Sequence, residues 1–242
     1  MPGPIDTGSV RNRLLRALPT PTLRRLTADL QPIDLARGQV IDRTDEPMRR
    51  LHFINSGFVS TVRTMRDGRS AEVGGIGVEG ACGVNTVFSA RPIHAVVDAV
   101  VQIPGIAFRL ERDLALRQMS GDSALRAVFV DYARFAFGQM AQHAACNRLH
   151  TIAQRCCTWL LIAADSVNDD AFPLTHESLA QMLGGTRAGV TLALSALKAE
   201  GLVDYGPGQM KIVDRLAIEA RACECYATRQ VAIAALFPVT RA

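Results

Sequence analysis

Six cysteines and five histidines are the residues best suited to ligation or redox work in this chain of 242 residues. Cys223-x-Cys225 holds two thiols close, Cys156 and Cys157 are adjacent, and Cys82 and Cys146 stand apart. Thiolate pairs hold soft metal ions or carry thiol–disulfide exchange. Cys223 and Cys225, with Cys156 and Cys157, therefore admit a metal- or thiol-based redox sensor. Their spacing fits neither a zinc finger nor a Cys-x-x-Cys redox motif, so buried free thiols are the expectation. His94, His143 and His150 are scattered and read as surface or hydrogen-bonded side chains, with haem ligation by one of them as the alternative. No nucleophile elbow, phosphate loop or metalloprotease motif occurs, and Gly74-Gly75-Ile76-Gly77 lacks the following Lys-Ser/Thr. The chain is not expected to be an enzyme.

A second kind of chemistry is recognition by Arg187. A guanidinium in the first turn of a helix can bond guanine O6 and N7 together in the major groove. The surrounding pattern supplies such a helix. Thr175 suits an N-cap, and Leu179, Met182 and Leu183 give a short helix its buried face. Ala180 is small enough for a close helix crossing, and Gly184 suits the positive φ after a helix end. Thr186 then caps a helix over 186–200, with Val190, Ala193, Leu194 and Leu197 facing inward and Gly201 stopping it. A hairpin follows, from Leu202-Val203-Asp204-Tyr205 through a Gly-Pro-Gly turn to Met210-Lys211-Ile212-Val213. Helix–turn–helix plus hairpin is a winged helix.

On this reading Arg187, Ala188, Thr191, Leu192 and Ser195 face outward toward base edges. Thr175, His176 and Thr186 are placed for phosphate contacts. Ala188 and Leu192 could touch only thymine methyls. The competing reading is a winged helix that meets proteins and never DNA. Charge leans that way: the net charge is +4, but residues 1–147 hold 18 basic and 14 acidic groups, whereas 148–242 hold 9 of each.

The elements that must position these groups follow from pattern. Leu14, Leu15, Leu18, Leu23, Leu26 and Leu30 give helical spacing over 10–30, broken at Pro19 and Pro21. Residues 32–109 read as short antiparallel strands, with turns expected at Asn55-Ser56-Gly57, Asp67-Gly68 and Pro104-Gly105. Residues 122–147 contain no proline and read as one long helix. Its seam is expected along Leu125, Val128, Tyr132, Phe135 and Gln139, most simply between two copies of the chain. Another helix covers 151–166. The class is α+β: an antiparallel β-roll of the jelly-roll kind with leading helices over 1–120, a dimerisation helix over 121–147 and a winged helix-turn-helix over 148–242.

Composition agrees with a globular chain, at 48% apolar and 21% charged residues. No apolar run reaches the roughly 20 residues a bilayer requires. The first residues lack the apolar core of a signal peptide, so a cytoplasmic protein with no membrane partner is expected.

With these residues in place, the sequence resembles the Crp/Fnr family of bacterial transcription regulators. The carrying pieces are Phe53-Ile54-Asn55-Ser56-Gly57, Val78-Glu79-Gly80-Ala81-Cys82-Gly83, and the run from Leu174-Thr175-His176-Glu177 to Gly185-Thr186-Arg187. Ala222-Cys223-Glu224-Cys225-Tyr226 also looks like a tail found in one branch of the family. The resemblance implies a homodimer, a sensory roll of the cyclic-nucleotide-binding type, double-stranded DNA as partner through a two-fold operator, and RNA polymerase as a further partner.

Two departures bear on the effector, which the sequence leaves unknown. Members that bind cyclic AMP hold its ribose with a Gly-Glu pair and its phosphate with an Arg-Ser pair. Here Gly80 is followed by Ala81, which cannot accept a ribose hydroxyl bond, and Arg91, followed by Pro92, is the one nearby cation. The expected pocket is thus Gly80, Ala81, Cys82 and Arg91, with cyclic AMP disfavoured. The oxygen-sensing members carry clustered N-terminal cysteines for an iron–sulfur cluster. This chain has none before Cys82, so that cofactor is disfavoured as well. An effector-binding sensor acting through protein contacts alone is the alternative function.

Overall fold

The computed structural model describes residues 5–237; the expected first and third units extend into 1–4 and 238–242, which lie outside the described residues. The prolines divide the leading helix as expected. Helix α1 (Arg13–Arg16) is capped by buried Asn12, whose side chain accepts from the Leu15 N–H, and α2 (Thr20–Thr27) begins after Pro19. Their leucines pack under the sheet with Phe53, Leu110 and Phe129.

The roll comprises β1 (Gln31–Leu35), β2 (Val40–Asp42), β3 (Arg50–Thr64), β4 (Ser70–Ile76), β5 (Ala81–Cys82) and β6 (Asp98–Glu111). All pairings are antiparallel, in the order β1-β6-β3-β4, with β2 on β6 and β5 on β3. Asp67-Gly68 is the expected hairpin tip, with Gly68 at φ +85°. Two other expected turns are not turns. Residues 55–57 and 104–105 lie inside β3 and β6, which run past each other with shifts of register at Ile54/Ser56 and Ser56/Phe58. Gly57 sits at φ +88°, where a Cβ would come within 2.6 Å of the Ile103 carbonyl oxygen. A Cβ on Gly105 would meet the Ser56 carbonyl oxygen at 2.1 Å. Glycine at both places lets the two backbones bend through one bulged crossing instead of reversing.

Helix α3 (Arg112–Ser120) leads into α4 (Ser123–Leu149), a helix of 27 residues and so roughly 40 Å. The expected seam is corrected here. Leu125 and Tyr132 are buried in the chain's own core against the roll, and Val128 and Phe135 pack beside them. The open face is a different stripe, Ala127, Val130, Arg134, Phe137, Ala141, Ala144 and Arg148, spaced alternately by three and four residues. Phe137 is 76% exposed. Both faces are apolar, so spacing alone assigned the wrong one to the outside.

After a two-residue joint, His150-Thr151, α5 (Ile152–Val167) begins with a capping box on Thr151 and Gln154. There follow β7 (Ala171–Pro173), α6 (His176–Met182), α7 (Arg187–Ala199), β8 (Val203–Gly206), β9 (Gln209–Ile212), α8 (Arg215–Arg221) and α9 (Cys225–Leu236). The core of this half joins Leu160, Leu161, Leu179, Val190, Leu194, Leu197 and Ile218. It also takes in Phe58 of the roll, whose ring meets Trp159 edge-on at 5.6 Å. Among the described residues no helix is long and apolar enough to cross a membrane.

Candidate nucleic-acid interface

Local chemistry fixes the two crossing helices. The Thr175 hydroxyl accepts from the Ser178 N–H at 3.1 Å, and the Thr186 hydroxyl accepts from the Gly189 N–H at 3.1 Å. Gly184 adopts φ +58° directly after α6, which turns the chain toward α7. Ala180 is buried at the crossing. The wing pairs β8 with β9 from Val203↔Ile212 to Gly206↔Gln209, and β7 adds the third strand.

The outward face of α7 carries the expected side chains. Arg187 projects from the first turn with its side chain 73% exposed, its nearest acid being Glu177 at 4.0 Å. Ala188 and Ser195 are exposed, and Leu192 is 74% exposed although apolar. Thr191 is half-buried because His176 Nδ1 lies 3.0 Å from its hydroxyl. His176 also meets the Tyr205 ring edge-on at 4.8 Å. Burial first, then the Arg187 charge, hold the His176 pKa below its ordinary value, so it is neutral near pH 7. Thr175 and Thr186 spend their hydroxyls on caps, leaving their backbone surroundings for an anion.

Three residues at this surface escaped the sequence reading. Lys198 Nζ donates to the Tyr205 carbonyl at 3.2 Å, pairs with Asp204 at 2.7 Å and lies 4.6 Å from the Tyr205 ring centre. Tyr205 thus links the wing to both α6 and α7. The signal was a tyrosine on a hairpin strand ten residues beyond Ser195, which carries nothing by itself. The third is Arg37, from the loop between β1 and β2. Its Nη2 donates to the Ser178 hydroxyl at 3.1 Å and lies 3.4 Å from Thr175 Oγ1.

The roll and α4 enclose a cavity of about 290 Å³. Ala81 and Cys82 line it; Gly80 does not, being packed against Tyr132, whose hydroxyl a Cβ there would meet at 2.2 Å. That hydroxyl accepts from the Ala81 N–H at 3.0 Å. Arg91 does not line it, a correction to the expected pocket: it is exposed on the loop beyond Phe88, and its carbonyl accepts from Arg112 at 3.3 Å. No arginine or lysine lines the cavity among the described residues. It does contain Asp42, whose carboxyl burial pushes up to about 6. Phe137 and Met140 line one side and are also exposed on α4, so cavity and open stripe share side chains.

All six cysteines are buried free thiols, the expected state; it is the alternative grouping with Cys156 and Cys157 that differs. Cys223 and Cys225 converge on Cys146 and His150, with Cys156 and Cys157 outside the group. The readable signal was Cys146-x-x-x-His150, four residues apart at the end of a helix.

Two family models match the chain. One is described as a cyclic nucleotide-binding domain and covers residues 32–122; the other, a Crp-like helix-turn-helix domain, covers 154–221. A curated relative, the CRP-like cAMP-activated global transcriptional regulator of Mycobacterium tuberculosis, is 27% identical over 232 residues, spanning 90% of this chain and 100% of its own. FixK2 from Bradyrhizobium japonicum superposes with a TM-score of 0.62 at 18% identity, over 80% of this chain and 98% of that one. The c-di-GMP responsive regulator CLP of Xanthomonas campestris gives 0.64 at 16% identity, over 80% and 99%.

Proposed function

This chain belongs to the Crp/Fnr family of transcription regulators, and from that premise we propose that it works as a homodimer reading a two-fold operator through α7. The observation that carries the reading is the exposed Arg187 guanidinium at the leading end of an exposed helix face. In the groove it bonds guanine O6 and N7, while Ala188 and Leu192 lie against thymine methyls. Backbone N–H groups at the start of α7 and the Arg37 side chain meet phosphates. Bound to its operator, the dimer then meets RNA polymerase.

Dimerisation is supported by the open stripe on α4, whose spacing suits a coiled-coil seam. The effector is a neutral, largely apolar molecule and is not cyclic AMP. A buried phosphate requires a facing cation, whereas the cavity's ionisable lining among the described residues is acidic. Such a ligand would touch Phe137 and Met140, altering the seam and hence the spacing of the two reading helices.

The test begins with operators selected from random duplex. Arg187→Ala should weaken the selected operator at least tenfold, corresponding to about 1–3 kcal/mol, while the dimer stays folded. Unchanged affinity removes the assignment. Absence of salt-dependent binding to any duplex would instead favour the reading in which the winged helix contacts proteins only.

A further inference from the structure

We propose that Cys146, His150, Cys223 and Cys225 form a site for a single tetrahedral zinc ion at the joint between α4 and the winged-helix half. Their four ligand atoms all lie within 4.8 Å of one another. Cys146 Sγ is 3.6 Å from Cys223 Sγ, and Cys225 Sγ is 3.6 Å from His150 Nδ1. A tetrahedral ion with Zn–S near 2.3 Å and Zn–N near 2.0 Å needs ligand–ligand edges of roughly 3.5–3.8 Å. A two-iron cluster would have to spread its ligand pairs by a further iron–iron distance, for which a group this tight has no room. Four protein ligands also close the shell, which marks a structural ion rather than a catalytic one.

The surroundings are arranged as an outer shell. His150 turns Nδ1 toward the sulfurs and places Nε2 3.2 Å from Glu224 Oε2. A carboxylate holding Nε2–H leaves the Nδ1 lone pair free for a metal and fixes the ring orientation. Gln142 Nε2 donates to Cys225 Sγ at 3.0 Å. The Thr158 hydroxyl accepts from the Cys223 N–H at 3.2 Å, so its own proton is free to point at Cys223 Sγ, 3.0 Å away. Both contacts suit thiolates. The three cysteines are buried and His150 is nearly so. Binding is coordination without electron transfer: the ion enters, three thiol protons leave to solvent, and the imidazole binds neutral.

Position gives the ion its role. Cys146 lies in the last turn of α4 and His150 caps its end, with only His150 and Thr151 between α4 and α5, while Cys223 and Cys225 flank the start of α9. An ion here locks the joint and pins α9 alongside α4.

The full chain, purified under reductant and stripped with chelator, is titrated with Co2+ and then Zn2+. One Co2+ per chain should bind with thiolate-to-cobalt absorption and tetrahedral ligand-field bands, and Zn2+ should displace it and raise the thermal midpoint. Cys223→Ser should lose the absorption, Cys156→Ser should keep it, and Glu224→Gln should weaken zinc at least tenfold with every ligand retained. The proposal is overturned if reduced wild-type chain shows no cobalt–thiolate absorption. It also fails if Cys223→Ser binds as wild type, or if Cys146 and Cys223 form a disulfide in the presence of equimolar zinc. Should Cys223→Ser not fold, the wild-type titration and Glu224→Gln decide. No DNA enters the experiment, so its failure leaves the operator reading standing.

Discussion

Glu72 on β4 is fully buried between the roll and α5, where the Ser60 hydroxyl donates to it and Trp159 Nε1 donates at 3.4 Å. Arg155 and Arg229 lie near enough to favour its charged form, and His143 lines with them a second, smaller cavity between β4, α4 and α5. Burial outweighs them and pushes the carboxyl from 4.5 up to about 7. The folded state therefore keeps a proton that the unfolded chain gives up. This stabilisation is complete below pH 4.5 and is lost as pH rises through about 7. Relative to Glu72→Gln, the wild-type thermal midpoint should fall across that interval by an amount corresponding to about 3 kcal/mol, a comparison in which the opposite contribution of buried His52, held down to about 4, cancels. A difference between the two profiles that does not grow with pH would refute it. At this scale Arg187 and the capping threonines were legible, because caps and first turns depend on near neighbours. Arg91 was not, because which side chains line a cavity depends on strands far apart in sequence. Cys146 and His150 read as separate residues, since a four-residue spacing counts only once a helix is known to run through both, and their meeting with Cys223 depends on α9 folding back.

The open stripe on α4 makes a prediction at the scale of the element. Phe137→Glu puts a charge at the centre of the proposed seam and should make the chain sediment as a monomer where the wild type sediments as a dimer, leaving helix content unchanged. Tyr132→Ala, on the opposite face, should reduce stability, since the Tyr132 hydroxyl bridges the Ala81 N–H and carbonyl. If Phe137→Glu remains dimeric, the seam lies elsewhere. The helix itself was legible from its unbroken 3–4 spacing; its orientation was not, because apolar residues occupy more than one face. The same limit explains the strands. Asn55-Ser56-Gly57 and Pro104-Gly105 have turn composition, yet each supplies the glycine its neighbour's backbone needs at the crossing. Local sequence cannot distinguish a reversal from a bulge whose partner is some 50 residues away, whereas Asp67-Gly68 pairs strands adjacent in sequence.

Across the whole molecule, the two halves are joined by more than the long helix. Arg229 on α9 donates to Glu79 of the roll at 2.8 Å, with both side chains buried. Removing one partner strands the other charge, so Arg229→Ala should lower unfolding stability by about 3 kcal/mol or more in denaturant titration. Glu79→Gln in that background should recover part of the loss; no recovery would mean that the arginine acts through packing alone. Gln181 on α6 reaches Ser70 of β4 at 3.3 Å, and Phe58 packs on Trp159, so the winged-helix half rests directly on the roll. Trp159 is the single tryptophan of the chain. Its ring is wedged where the halves meet, with the indole N–H against the Glu72 carboxyl. Intrinsic emission from this protein is therefore a one-site gauge of that junction. A ligand or duplex that pries the halves apart would shift the spectrum to longer wavelength with no label attached, and one that leaves them together would not.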